Sequence, residues 1–153
     1  MRIYVLKERQ IVDRPLEQVF EFFSRPENLE AITPDLLRFR ILTPTPIDMH
    51  PGELIDYELR LSGVPIHWRT LITDWDPPRG FIDQQLKGPY ALWHHRHTFS
   101  TVEGGTLIED EVHYALPFGP LGRLVHALYV RRNVAGIFAF RKQVIAREFS
   151  ART

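Results

Sequence analysis

Two imidazoles two residues apart, His95 and His97, with carboxylates in reach of both, are the groups best placed for chemistry in this 153-residue chain. They lie in Tyr90-Ala-Leu-Trp-His-His-Arg-His-Thr-Phe99, where alternation sends Trp93, His95, His97 and Phe99 to one side of a β-strand. A second run, Leu107-Ile-Glu-Asp-Glu-Val-His-Tyr114, sends Ile108, Asp110, Val112 and Tyr114 to one side of the next strand. Residues 90–114 thus read as a long β-hairpin turning at Gly104-Gly105. A plain core would use Val, Ile and Leu on that side, because unpaired polar groups are costly to bury. A lined cavity would use this mixture of rings, imidazoles and a carboxylate.

Three uses of the cluster stand side by side. The pairs can satisfy each other, fix strand register and stiffen the sheet. They can orient the polar end of an otherwise apolar ligand. They can also react: His titrates near neutrality, and a carboxylate partner raises its pKa and fixes its tautomer. Aldol closure of a polyketide ring asks for little more than such a base in a shaped pocket. If the chain is an enzyme, His95, His97 and Asp110 are the catalytic candidates; otherwise there are none. His95 and His97 with Asp110 or Asp83 would also suit zinc or non-haem iron. That spacing arises readily by chance, so neither a metal nor another cofactor is expected. His67, His94 and His113 fall on the opposite side of their strands, and His50 and His126 have no evident partner. No nucleophile elbow argues for a hydrolase. The absence of cysteine excludes disulfides and thiolate chemistry.

The elements that must hold these groups are legible in outline. A strand is expected over 2–12. Asp13-Arg-Pro15 then starts a helix carrying Leu16, Val19, Phe20 and Phe23, and Pro26 starts a second short one. Strands are expected over 36–43, 53–62, 65–75 and 81–87, with turns at Ser62-Gly63 and Asp76–Gly80. Their inner faces would carry Tyr57; Trp68 and Thr70; Phe81, Asp83 and Gln85. A hairpin centred on Pro89 would set Asp83 opposite His95, and Asp110 would lie near His97. Pro117–Gly122 reads as a loop. Residues 123–150 contain no proline and read as one amphipathic helix, ~42 Å long at 1.5 Å per residue. Leu124, Leu128, Ala135 and Phe138 would face the sheet and roof the space above it.

Composition sets the outer limits. The chain suffices for one core, so residues 1–153 are read as a single domain. With 44% hydrophobic and 25% charged residues it is an ordinary globular sequence. No apolar run approaches the ~20 residues of a membrane span, and the first residues lack a signal-peptide core, so a cytoplasmic protein without stable membrane insertion is expected. Net charge is zero, but from Val112 onward seven basic residues face one acid, Glu148, leaving +6 there and −6 in the first 111 residues. The expectation is that the basic helix is neutralised against an acidic sheet. No stacking series or phosphate loop accompanies the charge, so nucleic acid is not expected as a partner.

The chain resembles the helix-grip superfamily known as SRPBCC or START-like, which includes polyketide cyclase-like and birch-pollen-allergen-like domains. The resemblance rests on Pro15-Leu-Glu-Gln-Val-Phe20 followed by Pro26-Glu-Asn-Leu29, on the strand order and on the long closing helix. It is similar within that superfamily to small bacterial ligand-binding proteins labelled cell-division-inhibitor-like. Gly88-Pro-Tyr90, Trp93 with His95 and His97, and Leu116–Gly122 carry that similarity. The resemblance implies an α+β fold, a curved antiparallel sheet of about seven strands around a C-terminal helix with two short helices after strand 1. It also implies a pocket for a hydrophobic or amphipathic small molecule such as a lipid, quinone or polyketide. The expected ligand-binding set is Tyr57, Trp68, Thr70, Asp83, Gln85, Trp93, His95, His97, Asp110, Tyr114, Leu124, Leu128 and Phe138. The alternatives are a polyketide cyclase or dehydratase with a His base, and a protein-interaction module with a filled core and an unknown partner.

Overall fold

The computed structural model describes residues 1–61 and 63–150. Among them, β1 (Tyr4–Val12), β2 (Arg40–Ile41), β3 (Leu54–Leu61), β4 (Val64–Asp76), β5 (Gly80–Lys87), β6 (Leu92–Val102) and β7 (Gly105–Ala115) form one antiparallel sheet. Its order is β1-β7-β6-β5-β4-β3-β2. Helix α1 (Leu16–Phe23) and a 3₁₀ turn (Pro26–Leu29) follow β1. The chain closes with α2 (Gly119–Val125), a wider π turn (His126–Val130) and α3 (Arg131–Ser150), which run on as one rod. A curved sheet gripping a long terminal helix is the helix-grip fold expected from the sequence.

Packing leaves a gap in the middle. Val19, Phe20, Phe22 and Phe23 of α1 meet Phe81, Phe99, Ile108, Ile145 and Phe149 at one end. Val112, Tyr114, Val134 and Phe138 form a second cluster, and Ile55, Tyr57 and Ile72 a third. Ile72 pairs with Asp83 but Asp74 with Ile82, so Thr73 is an extra residue in β4. That bulge returns Trp75 to the inner face, against Phe20 and Phe81.

Two local expectations change. Of residues 36–43 only Arg40–Ile41 pairs, with β3; Asp35–Leu37 forms a 3₁₀ turn behind Pro34, closed by Arg38 at a left-handed φ of 46°. The loop expected over 117–122 is already helical from Gly119, with Pro120 in the first turn, where a missing N–H costs nothing. The turn expected at Ser62-Gly63 falls partly on Ser62, which lies outside the described residues.

The helix corrects the expected roof. Leu124 and Leu128 are exposed, as is Ala135, while the buried line runs Gly122, His126, Val134, Phe138, Arg141 with half-buried Val130 between. From Gly122 to Phe138 that line steps by four residues each time. On a straight α-helix each such step drifts by about 40°. The π turn, closed by i→i+5 bonds, absorbs the drift. A glycine and a histidine occupy buried steps, so the line is disguised in the sequence, and the leucines that look like its members face away.

Gly80 opens β5 where the backbone of β6 passes closest. A Cβ there would collide with the His97 carbonyl oxygen, which as a backbone atom has no room to yield. Gly80→Ala is expected to lower stability by about 1–3 kcal/mol, read as a shift in urea midpoint. It should also disturb the side chain of His97.

Candidate functional site

β5, β6 and β7 lie side by side, and their pairing places Asp83 opposite His95 and His97 opposite Asp110. The hydrogen bonds cross those pairings. His95 donates from Nε2 to Asp110 Oδ1 at 2.7 Å, and His97 donates from Nε2 to Asp83 Oδ2 at 2.5 Å. An ionised carboxylate only accepts, so both protons sit on Nε2. The rings stack at 3.6 Å between centroids, and His97 also stacks on Phe81 at 4.1 Å. From α3, Arg141 donates from Nη2 to the same Asp110 oxygen at 3.3 Å. Its guanidinium lies 5.5 Å from the rings of Phe23 and Phe138. The sequence reading missed Arg141; the available signal was a lone basic residue in the buried line of α3.

Electrostatics fixes the state of this cluster. Burial works against the Asp110 carboxylate, but Arg141 and the His95 hydrogen bond hold it well below the usual carboxylate range. Burial likewise opposes Asp83, and the His97 hydrogen bond with nearby His95 and Arg141 outweighs it, again downward. Burial, reinforced by stacked His95, pushes His97 down to about 4. At neutral pH His97 is therefore an uncharged ring with a proton on Nε2. Its Nδ1 is a buried lone pair without a hydrogen-bond partner among the described residues, 3.5 Å from Asp110 Oδ1. Asp83, His95 and His97 also bring ligand atoms within 4.8 Å of one another, close enough for a small cation. The adjacent guanidinium and the two His-to-Asp hydrogen bonds favour the proton network over a divalent ion.

Above the cluster is a cavity of about 180 Å³, open at its rim and not filled by the protein's own side chains. It exceeds the ~150 Å³ known to admit a benzene ring and falls short of pockets for drug-sized ligands. Asp83, His95 and His97 form its polar floor with Thr70 and Tyr57; Trp68 Nε1 donates to Thr70 Oγ1 at 3.1 Å. Burial raises the Tyr57 phenol, which stays protonated. Trp68, Tyr90 and Trp93 pack edge-on or tilted at 4.8–5.7 Å around the rim. Asn133, Val134, Ile137, Phe138 and Arg141 make the roof, and Leu29, Leu37 and Phe39 close the near side.

Of the expected set, eight residues meet here: Tyr57, Trp68, Thr70, Asp83, Trp93, His95, His97 and Phe138. The other five do not line the cavity. Asp110 stands behind the histidines as their anchor. Gln85 is taken up by the Tyr90 backbone, donating to its carbonyl at 2.7 Å and accepting from its N–H. Tyr114 turns to His126, with Oη and Nε2 2.8 Å apart, and His126 stacks on Tyr4. Leu124 and Leu128 face solvent. His67 and His113 lie on the outer face as expected, bonded to Asp56 and Glu111. His50 has a partner after all, Glu53 at 2.9 Å.

No helix among the described residues is long and apolar enough to cross a membrane. No curated protein matches the chain. Solved structures match its fold over nearly full length. Protein Ms6760 from Mycobacterium smegmatis is 16% identical with a TM-score of 0.72, the match covering 97% of this chain and 92% of that one. TTHA0849 from Thermus thermophilus is 14% identical with a TM-score of 0.72, covering 98% and 100%. Zhui aromatase/cyclase from Streptomyces sp. R1128 is 15% identical with a TM-score of 0.68, covering 99% of each. Residues 12–138 match the model of one family, and the chain belongs to it: polyketide cyclase / dehydrase and lipid transport.

Proposed function

We propose that the chain is a one-domain binding protein for a small amphipathic molecule. The apolar body of the ligand enters between Trp68, Trp93 and Phe138, and its polar end meets Asp83 and the histidines. The observation that carries this reading is a ring-lined hollow whose floor is a hydrogen-bonded, charged network instead of apolar side chains. As it stands the space suits one ring, two fused rings or a short acyl chain; a larger ligand would need the rim rings to swing outward. Asp83 on the floor is held ionised and only accepts, so a ligand that donates a hydrogen bond to it is favoured over one that brings another negative charge beside it. Naphthol is therefore expected to bind at least about tenfold more tightly than naphthoate, by calorimetry at neutral pH. Trp93→Ala should weaken naphthol by about 2 kcal/mol. Equal affinity for the two probes, or no effect of the substitution in a folded protein, would count against this site. Native mass spectrometry of freshly purified protein would then report the class of any co-purified ligand.

A second reading is a cyclase or dehydratase. It is favoured by the unprotonated Nδ1 of His97, held in one tautomer by Asp83, and by the fold shared with Zhui aromatase/cyclase. It demands a rate that loses its acid-side ionisation when His97 is replaced.

A further inference from the structure

The leading turns of the terminal rod carry Leu121, Leu124, Val125 and Leu128, the i, i+3, i+4, i+7 pattern of a helix face made for burial. That face is open: Leu121 is 60% exposed, Leu124 55% and Leu128 73%, with Phe118 at 79% beside them. Single exposed leucines need no explanation, but a contiguous strip does. Basic groups surround it. Arg2 and Arg123 border Phe118 in one shallow depression, and Arg131 and Arg132 follow one turn on. From Val112 to Arg147 the sequence holds no acidic residue. The expected neutralisation by the sheet does not occur here. Among the described residues no carboxylate lies within ion-pair distance of Arg123, Arg131 or Arg132, whereas Arg141, further along the rod, pairs with Asp110. The strip ends at Tyr129, and the next residue, Val130, packs against the same buried cluster as Tyr90 and Trp93 of the cavity rim.

We propose that this face, Phe118 to Arg132, docks on an anionic lipid surface, with the leucines among the acyl chains and the arginines on the headgroups. An apolar strip flanked by uncompensated arginines has the form of an interfacial helix. Two copies meeting through the same face would oppose their own arginines, which argues against self-association. Docking here would bring the cavity rim to the membrane, where an amphipathic ligand resides.

The test uses flotation with phosphatidylcholine vesicles, with and without phosphatidylglycerol. The protein should float with the anionic vesicles, be released by salt, and stay down with phosphatidylcholine alone. Leu124→Glu with Leu128→Glu should weaken binding by roughly tenfold or more, as should Arg131→Gln with Arg132→Gln. All these positions are exposed, so the melting temperature should hold, and naphthol binding by both variants should be unchanged. That last reading separates the docking face from the cavity. Failure of the parent protein to float with anionic vesicles, or equal flotation of the leucine variant, would overturn the proposal. So would a concentration-dependent dimer abolished by the leucine substitutions, which would assign the face to a second copy.

Discussion

Arg141→Ala should destabilise the protein by about 3–5 kcal/mol, the cost of leaving a buried charge without its partner. Both members of the pair are buried, Arg141 in α3 and Asp110 in β7. Without the guanidinium, the Asp110 carboxylate keeps the His95 donor but loses the only arginine or lysine paired with it among the described residues. It must then take up a proton or remain uncompensated in the interior. The lost contacts with Phe23 and Phe138 add to the cost. For a chain of this length the melting temperature should fall by roughly 10 °C or more. A companion variant, Arg141→Met with Asp110→Asn, should recover much of the loss, because replacing both partners removes the charge that would be stranded. An alanine variant as stable as the parent would mean that water reaches Asp110 and the network is not sealed.

Acidification should unfold the protein in two stages with different causes. His97 is held neutral in the fold, down to about 4, mainly by burial, whereas in the unfolded chain it titrates near 6.5. Below that value the unfolded chain binds the proton more readily, so stability falls from about pH 6.5 toward pH 4. The shift corresponds to about 3 kcal/mol across that window. The two carboxylates act in the same direction lower down. Asp83 and Asp110 are held below their ordinary values, so their contribution is complete above about pH 4 and is lost as the pH falls further. Urea unfolding at steps from pH 7.5 to 3 would resolve both limbs. His97→Gln should flatten the upper limb while leaving a lower one. A parent protein equally stable at pH 7 and pH 4.5 would mean that His97 is protonated or solvated in the fold.

Much of this arrangement was legible in the residues. Alternation in two strands put His95, His97 and Asp110 on one face, and a hairpin centred on Pro89 put Asp83 there too, because side-chain direction in a strand has a strict period of two. Which His bonds which Asp was not legible. Pairing sets Cα neighbours, but ring stacking tilts each imidazole past its neighbour, and the bonds cross as a result. Arg141 was lost for a different reason: an arginine in a helical stripe reads as its wet edge until the opposing carboxylate is known. The leucines misled because a pattern alone says that a face is apolar, not what covers it. The first three residues of the strand expected over 36–43 were given up to a 3₁₀ turn, which Pro34 begins and Arg38 ends.

The wide turn at His126–Val130 has one more effect. By taking up slack between α2 and α3, it uncouples the two halves of a single rod, so the outward leucines and the inward Phe138 and Arg141 answer to different neighbours. Selection can retune the first half for whatever surface it meets without disturbing the lid of the chamber, and can reshape the lid without altering where the molecule lands.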